Sequence, residues 1–324
     1  MKKLIFPCTN RVHRARQGLL IEELKKYFEV DIWEPKQKDG GMAVTSILYA
    51  VEFNNYLKDK SFDAVLIRGD RYELLGLAMV SAYRQIPIIH LEAGDESGVI
   101  DNKVRHAIGK LADYHFPTNE EAHVRLINMG CKLGRIFNYG SLDVEFAAQV
   151  PSERPKIEKP YFLVAYHPIL GEDEGELKEA LKEFPGHDVV STVSNKDYGR
   201  SFGEESFTPE DYVNRLRFAT CLIGNSSSFL KEASIFGTPV VLIGSRQEKR
   251  LKPKNVLTVP CEKKIIEDAI KFQSMRVFAP DFIYFQADTS KRIAEKLKEI
   301  LWMSVAWFPQ GAVVRDYPRK TSNF

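Results

Sequence analysis

Short apolar runs recur along this chain, and each is followed by a segment whose apolar residues fall three and four apart. The first kind reads as a strand covered on both faces of a parallel sheet and the second as the helix that covers it, so the alternation restricts the fold to the α/β class. Strands are expected over 2–8, 30–34, 62–69, 114–117 and 135–139. Helices are expected over 19–28, up to about 57, 72–83 and 119–129. The clearest handover lies within 88–116. There Ile88-Ile89-His90-Leu91 follows Pro87 and precedes Gly94, and Val104, Ala107, Ile108, Leu111 and Ala112 then keep the i, i+3, i+4, i+7, i+8 spacing of a helix. Residues 151–160 hold three prolines among polar residues and read as a linker. Beyond it the pattern restarts, with strands over 161–166, 188–193, 221–224, 240–243 and 256–259. Helices over 174–184, from 209, 229–236, 262–272 and 289–302 accompany them. Two Rossmann-like doubly wound domains, 1–152 and 161–288, are therefore expected to face one another across a cleft. Residues 289–324 are expected to pack back towards the first, because Trp307, Phe308 and Tyr317 make the tail too apolar to float.

With 324 residues, 44% of them hydrophobic, the chain can fill two such cores. A formal charge of only +2 lacks the basic signature of a nucleic-acid or anionic-membrane binder. No apolar run approaches the roughly 18 residues of a membrane span. Cys8, Cys131, Cys221 and Cys261 are far apart and in no paired spacing, so neither a zinc site nor a disulfide framework is expected, and they read as reduced thiols of a cytoplasmic protein. The opening apolar stretch is cut by Pro7 and followed by Arg11, Arg14 and Arg16, too soon for a secretory core.

Open α/β sheets bind ligands beyond the carboxyl ends of their strands, which is where this chain keeps its polar residues. Asp70 follows the strand over 62–69, Glu92 closes the next strand, and Asp101 opens the helix after it. Asp101 also has two ordinary explanations, a helix N-cap and a helical ion pair with Arg105. After the first strand, Arg14 and Arg16 are best explained as a solvated cationic loop, whereas Arg11 beside the loop amides could hold an anion. In the second half, His167-Pro168, Asn195-Lys196-Asp197-Tyr198-Gly199 and Gly224-Asn225-Ser226-Ser227-Ser228 all follow strands. The serines suit either phosphate donation or N-capping. Glu232, one turn further, could reach a ribose diol, and Arg246, Lys249 and Arg250 add positive charge. No Walker-type or Gly-x-Gly-x-x-Gly loop is present.

These segments together resemble the UDP-N-acetylglucosamine 2-epimerases, and among them the hydrolysing branch that makes N-acetylmannosamine for sialic-acid-type pathways. The resemblance is carried by Cys8-Thr9-Asn10-Arg11, Gly69-Asp70-Arg71 and the stretch from His90 to Ala112. It continues through His167-Pro168, Asn195 to Gly199, Gly224 to Ser228, 236–240 and Gly244-Ser245-Arg246-Gln247, in family order. It implies a glycosyltransferase-B-like pair of domains, with UDP on the second and the sugar facing the first. It further implies Asp70, Glu92, Asp101 and His167 as the catalytic set. Arg11, Arg71, Arg105, Asn195, Asn225, Ser226, Ser227, Glu232 and Arg246 would bind the UDP-sugar. The family reaction needs neither cofactor nor metal, and the resemblance implies a homodimer or larger homo-oligomer. Elimination across C1 and C2 would call for a carboxylate base whose basicity partial burial has raised, with Asp101 or Glu92 as the base and acid pair. The sequence departs from the family pattern at Arg68, where a histidine is usual, at Phe229 for glycine, at Lys231 for arginine, and over 249–253. Bulk at Phe229 is expected to narrow the nucleotide side.

Overall fold

A computed structural model describes residues 1–9, 16–38, 40–167, 173–192 and 206–303. The alternation of apolar runs becomes two parallel five-stranded sheets. The first contains β1 (Lys3–Pro7), β2 (Glu29–Trp33), β3 (Ala64–Arg68), β4 (Ile88–Leu91) and β5 (Tyr114–Phe116), in the order β2-β1-β3-β4-β5. The second contains β6 (Tyr161–Ala165), β7 (Asp188–Ser191), β8 (Cys221–Gly224), β9 (Val240–Ile243) and β10 (Val256–Val259), in the order β10-β9-β8-β6-β7. Numbered within its own half, each sheet has the same 2-1-3-4-5 order, so each reverses direction once, between β1 and β3 and between β6 and β8. Crevices open at such reversals.

Helices cover both faces of each sheet. In the first half Leu20, Ile21 and Leu24 of α1 (Gly18–Lys25) pack on one face. Tyr49 and Phe53 of α2 (Met42–Tyr56) and Leu74, Leu77 and Ala78 of α3 (Tyr72–Tyr83) pack on the other. Next come α4 (Asp101–Leu111), α5 (Glu120–Asn128), which Asn119 caps by accepting from the Ala122 amide at 2.9 Å, and α6 (Leu142–Gln149). The second half adds α7 (Glu174–Leu181), α8 (Pro209–Phe218) and α9 (Lys263–Ser274). Ile293, Ala294, Leu297 and Leu301 of the last helix, α10 (Thr289–Met303), join the core of the first sheet beside α1. Among the described residues no helix is long and apolar enough to cross a membrane. The tail residues Trp307, Phe308 and Tyr317 lie outside the described residues.

Two expectations are corrected, and one helix is added. Residues 135–139 are not a strand. A 3₁₀ turn covers Leu133–Arg135, only Ile136 bridges β5, and Phe137 and Tyr139 turn their rings against Phe116 instead of extending the ladder. Residues 229–236 are not an α-helix but part of two 3₁₀ turns, Ser227–Phe229 and Glu232–Phe236, ended by Gly237 in the left-handed conformation at φ 67°. The helix α6 had no counterpart in the sequence pattern.

Candidate active site

At the carboxyl edge of the first sheet, Asp70, Arg71, Glu92, Asp101 and Arg105 line one cavity of about 490 Å³. The opposite wall, from the carboxyl edge of the second sheet, holds His167, Ser226, Ser227 and Arg246. Nine of the residues singled out in the sequence thus meet in one place, each on the sheet edge its strand dictates. Asn225 and Glu232 stand behind the lining. Arg11, Pro168 and Asn195 lie outside the described residues, as does Arg14.

The turn carrying Asp70 is fixed from below. His90, fully buried on β4, bonds the Gly69 carbonyl through Nε2 at 2.9 Å, and burial lowers its pKa to about 4, so the ring is neutral. Asp70 is gripped by Arg105, whose other amino group donates to the Asp95 carbonyl at 2.9 Å and to Asn102 at 3.1 Å. The pairing of Arg105 is therefore with the neighbouring strand's loop. The N-cap explanation of Asp101 is also corrected: Ile100 occupies the cap without a side-chain bond, and Asp101 stands in the first turn. A carboxylate there is stabilised by the amide end of the helix. Arg71 is held by Glu73 at 2.7 Å, and Glu73 also accepts from Thr9 at 2.8 Å.

Glu92 overturns the expectation of a carboxylate made more basic by burial. Burial alone would raise its pKa, but Arg68 and then Lys231 outweigh it and hold the group well below the ordinary carboxylate range. Arg68 donates to Oε1 through Nε at 2.8 Å and Nη2 at 2.6 Å, and Lys231 donates to Oε2 at 2.9 Å. Glu92 also adopts the left-handed backbone at φ 59°, uncommon outside glycine, and these ties keep its side chain in one place. It is a fixed anion.

Arg16 is a further correction. Instead of lying solvated in a cationic loop, it is buried against Glu232 at 2.8 Å and Asp143 at 3.5 Å. Asp143, in the first turn of α6, also takes Arg68 at 2.7 Å. These pairs join residues far apart in sequence, so nothing local signalled them. The departure at Phe229 has no effect on the cavity wall, because the ring is fully buried in the core of the second sheet.

On the second wall Ser226 meets the capping expectation. It caps the first 3₁₀ turn, accepting from the Ser228 amide at 3.4 Å, and it lines the cavity. Its hydroxyl meets that of Ser228 at 2.8 Å, and Ser228 meets Tyr212 at 2.5 Å. Asn225 works as a clamp. It accepts from the His167 amide at 2.7 Å, donates to the His167 carbonyl at 2.9 Å, and its own carbonyl accepts from Gln247 at 2.9 Å. Burial, with Arg246 nearby, lowers the His167 pKa to about 3, which leaves a neutral ring that can donate or accept a hydrogen bond but carries no charge.

The outer rim is sewn shut by loop 94–98 against loop 245–250. The Gly98 amide donates to the Arg246 carbonyl at 2.8 Å, Arg250 pairs with Asp95 at 3.2 Å, and Lys249 pairs with Glu96 at 3.1 Å. The approach requires glycine, since a Cβ at Gly98 would lie 2.1 Å from the Ser245 carbonyl oxygen. Gly98→Ala should therefore push the rim apart at a cost of roughly 1–3 kcal/mol, as overpacking does. Hydrogen exchange should show faster exchange at the amides of 94–98 and 245–250, and unchanged protection would contradict the seam.

A carboxylate-rich wall facing neutral imidazole, hydroxyls and a guanidinium suits a ligand with a polyhydroxylated end and an anionic end. Residues 13–298 match the family model described as UDP-N-acetylglucosamine 2-epimerase. The chain is 31% identical over 257 residues to the polysialic acid biosynthesis protein P7 of Escherichia coli, covering 70% of this chain and 66% of that one. It is 29% identical over 277 residues to the GDP/UDP-N,N'-diacetylbacillosamine 2-epimerase (hydrolyzing) of Campylobacter jejuni, covering 74% and 72%. Among solved structures, that of S. aureus MnaA with UDP superposes at a TM-score of 0.79 with 18% identity, covering 94% of this chain and 98% of that one. The Methanocaldococcus jannaschii UDP-GlcNAc 2-epimerase, solved with UDP-GlcNAc and UDP, gives 0.77 with 17% identity, covering 92% and 100%.

Proposed function

Since the chain belongs to the UDP-N-acetylglucosamine 2-epimerase family, we propose that it is a hydrolysing member, one that eliminates UDP from a UDP-2-acetamido sugar and adds water to release the 2-epimeric free sugar. The observation that carries this is the single cavity in which Asp70, Glu92 and Asp101 face His167, Ser226 and Ser227. The name of the C. jejuni relative supports the hydrolytic outcome. In this proposal the first half to 152, the second from 161 to 288 and the returning helix divide the labour, with the sugar on the first half and the nucleotide on the second.

In the first step the C2 proton leaves as the C1–O bond to UDP breaks, giving a 2-acetamidoglucal. In the second, water adds across the double bond. We assign the C2 proton to Asp101, which stands in the first turn of α4 on the wall of the cavity, since Glu92 is fixed as an anion by Arg68 and Lys231. Glu92, ionised and fixed, stabilises positive character at C1 without reorganising. Asp70 orients sugar hydroxyls, assisted by Arg71. Neutral His167, Ser226, Ser227 and Arg246 receive the charge that develops on the diphosphate, joined by Arg11 and Asn195. Glu232 takes the ribose hydroxyls while keeping its bond to Arg16.

The test is incubation with UDP-N-acetylglucosamine, and separately with its 2,4-diacetamido analogue, in deuterium oxide. Free UDP should appear together with a 2-epimeric sugar carrying deuterium at C2. Sugar released with its original C2 hydrogen would exclude elimination. Interconversion of UDP-sugars without free UDP would exclude the hydrolytic branch.

A further inference from the structure

The buried pairs of the cavity floor form one sequence of alternating charge: Glu232, Arg16, Asp143, Arg68, Glu92 and Lys231. No side chain in it is more than 16% exposed. Its two ends, Lys231 and Glu232, are adjacent in the sequence, so the pairs close into a ring. Four members belong to the first half. Only Lys231 and Glu232, at the start of one 3₁₀ turn, come from the second. The halves are thus buttoned together by two successive residues that reach across in opposite senses: Glu232 takes a cation from the first half, and Lys231 gives one to it.

We propose that Lys231 is a positioning residue for Glu92, delivering the second cation to that carboxylate only while the turn bearing Glu232 is seated against the first half, so that seating of the nucleotide side is felt at the acid side. The inference rests on the functional reading above only for the names of the two sides; the clasp itself rests on geometry. Lys231 Nζ lies 2.9 Å from Glu92 Oε2, and Arg68 holds the opposite oxygen. Separation of the halves would remove Lys231 and leave Arg68, which moves with Glu92 because β3 and β4 are paired at Arg68 and Leu91. The charged and titratable groups facing Glu92 are therefore Arg68 on β3, His90 on its own strand, Asp143 on α6 and Lys231 across the seam. Of these only Lys231 belongs to the other half. A buried carboxylate that loses one of two cations becomes easier to protonate.

The experiment uses the full chain with ¹³C-carboxyl-labelled glutamate, the Glu92 signal being identified by its loss in Glu92→Gln. In the unsubstituted protein the signal should keep its carboxylate position as the pH falls below the ordinary glutamate range. In Lys231→Met, and in Lys231→Gln, which keeps hydrogen-bonding capacity without charge, it should protonate at least about one pH unit higher. Lys231→Arg should restore the original behaviour, and UDP affinity measured by calorimetry should stay within about threefold in all variants. A Glu92 titration unmoved by both neutral replacements overturns the proposal. So does a tenfold or greater loss of UDP affinity with the titration unmoved, which would make Lys231 a nucleotide ligand. A shifted Glu92 titration in a protein that binds no UDP would sink the proposed function and leave the clasp standing.

Discussion

Asp101→Asn is expected to lower turnover of the UDP-sugar by about 10³-fold while leaving UDP affinity within about threefold, the loss typical of removing a positioned acid–base group. Asparagine keeps the shape of the side chain and its place in the first turn of α4, so the cavity wall survives and only the proton acceptor is lost. The assignment rests on the place of Asp101 on the cavity wall and on how Glu92 is held. Glu92 has one oxygen on Arg68 and the other on Lys231, so it is stabilised as an anion and its appetite for a proton is reduced. A base must instead take a proton and pass it to solvent within each cycle. Chromatography of released UDP and calorimetry of UDP binding read the two quantities separately. Turnover within tenfold of the unsubstituted enzyme would remove Asp101 from proton transfer. Equal losses in turnover and affinity would make it a binding residue. A non-catalytic sugar-nucleotide binder would have no turnover to lose.

Much of this arrangement is visible in the sequence because parallel strands buried on both faces leave continuous apolar runs, and such sheets carry their ligands just past those runs. Asp70, Glu92 and Asp101 follow β3, close β4 and open α4, and His167 and Ser226 follow β6 and β8. Where the periodicity fails, burial is the cause. In α6 Leu142, Val144, Glu145 and Ala147 are all buried, so no polar stripe marks the helix. Residues 228–234 are buried without interruption, which erases the contrast between a 3₁₀ turn and an α-helix. The partners of the acids were illegible for a different reason. Arg16 meets Glu232 216 positions away and Lys231 meets Glu92 139 positions away, distances over which a single sequence holds no pairing signal. Arg68 and Lys231 could be noticed as departures from a family pattern, but neither the burial of a cation at a strand end nor the sign of its effect on Glu92 follows from that.

The same burial makes Arg68 the side chain whose loss should cost the fold most. It is 4% exposed and joins Glu92 to Asp143, with 2.6 Å and 2.7 Å contacts from the same nitrogen. Methionine would fill much of the space but leave two carboxylates facing each other with only Lys231 and Arg16 at the outer ends of the row. Breaking a buried pair by removing one partner costs about 3–5 kcal/mol. Arg68→Met should therefore lower the unfolding midpoint at neutral pH by about 5–10 °C. The pH dependence carries the sign. In the unsubstituted protein burial would raise both acids, but Arg68, joined by Lys231 at Glu92 and by Arg16 and Lys231 at Asp143, outweighs it and both are held below their ordinary values. Their stabilisation is present above the unfolded pKa values and is lost as the pH falls through the folded ones. Without Arg68, burial and mutual repulsion push at least one of the pair above its unfolded pKa. Such a group contributes stability below the unfolded pKa and loses it as the pH rises through the folded one. The gap between Arg68→Met and the unsubstituted protein should accordingly be widest near neutrality and narrow steadily on acidification, with Arg68→Lys falling between them. Calorimetric melts at several pH values would show it. A gap below about 2 °C at neutral pH, or one that widens with acid, would mean that the row of charges is held together by something other than this guanidinium.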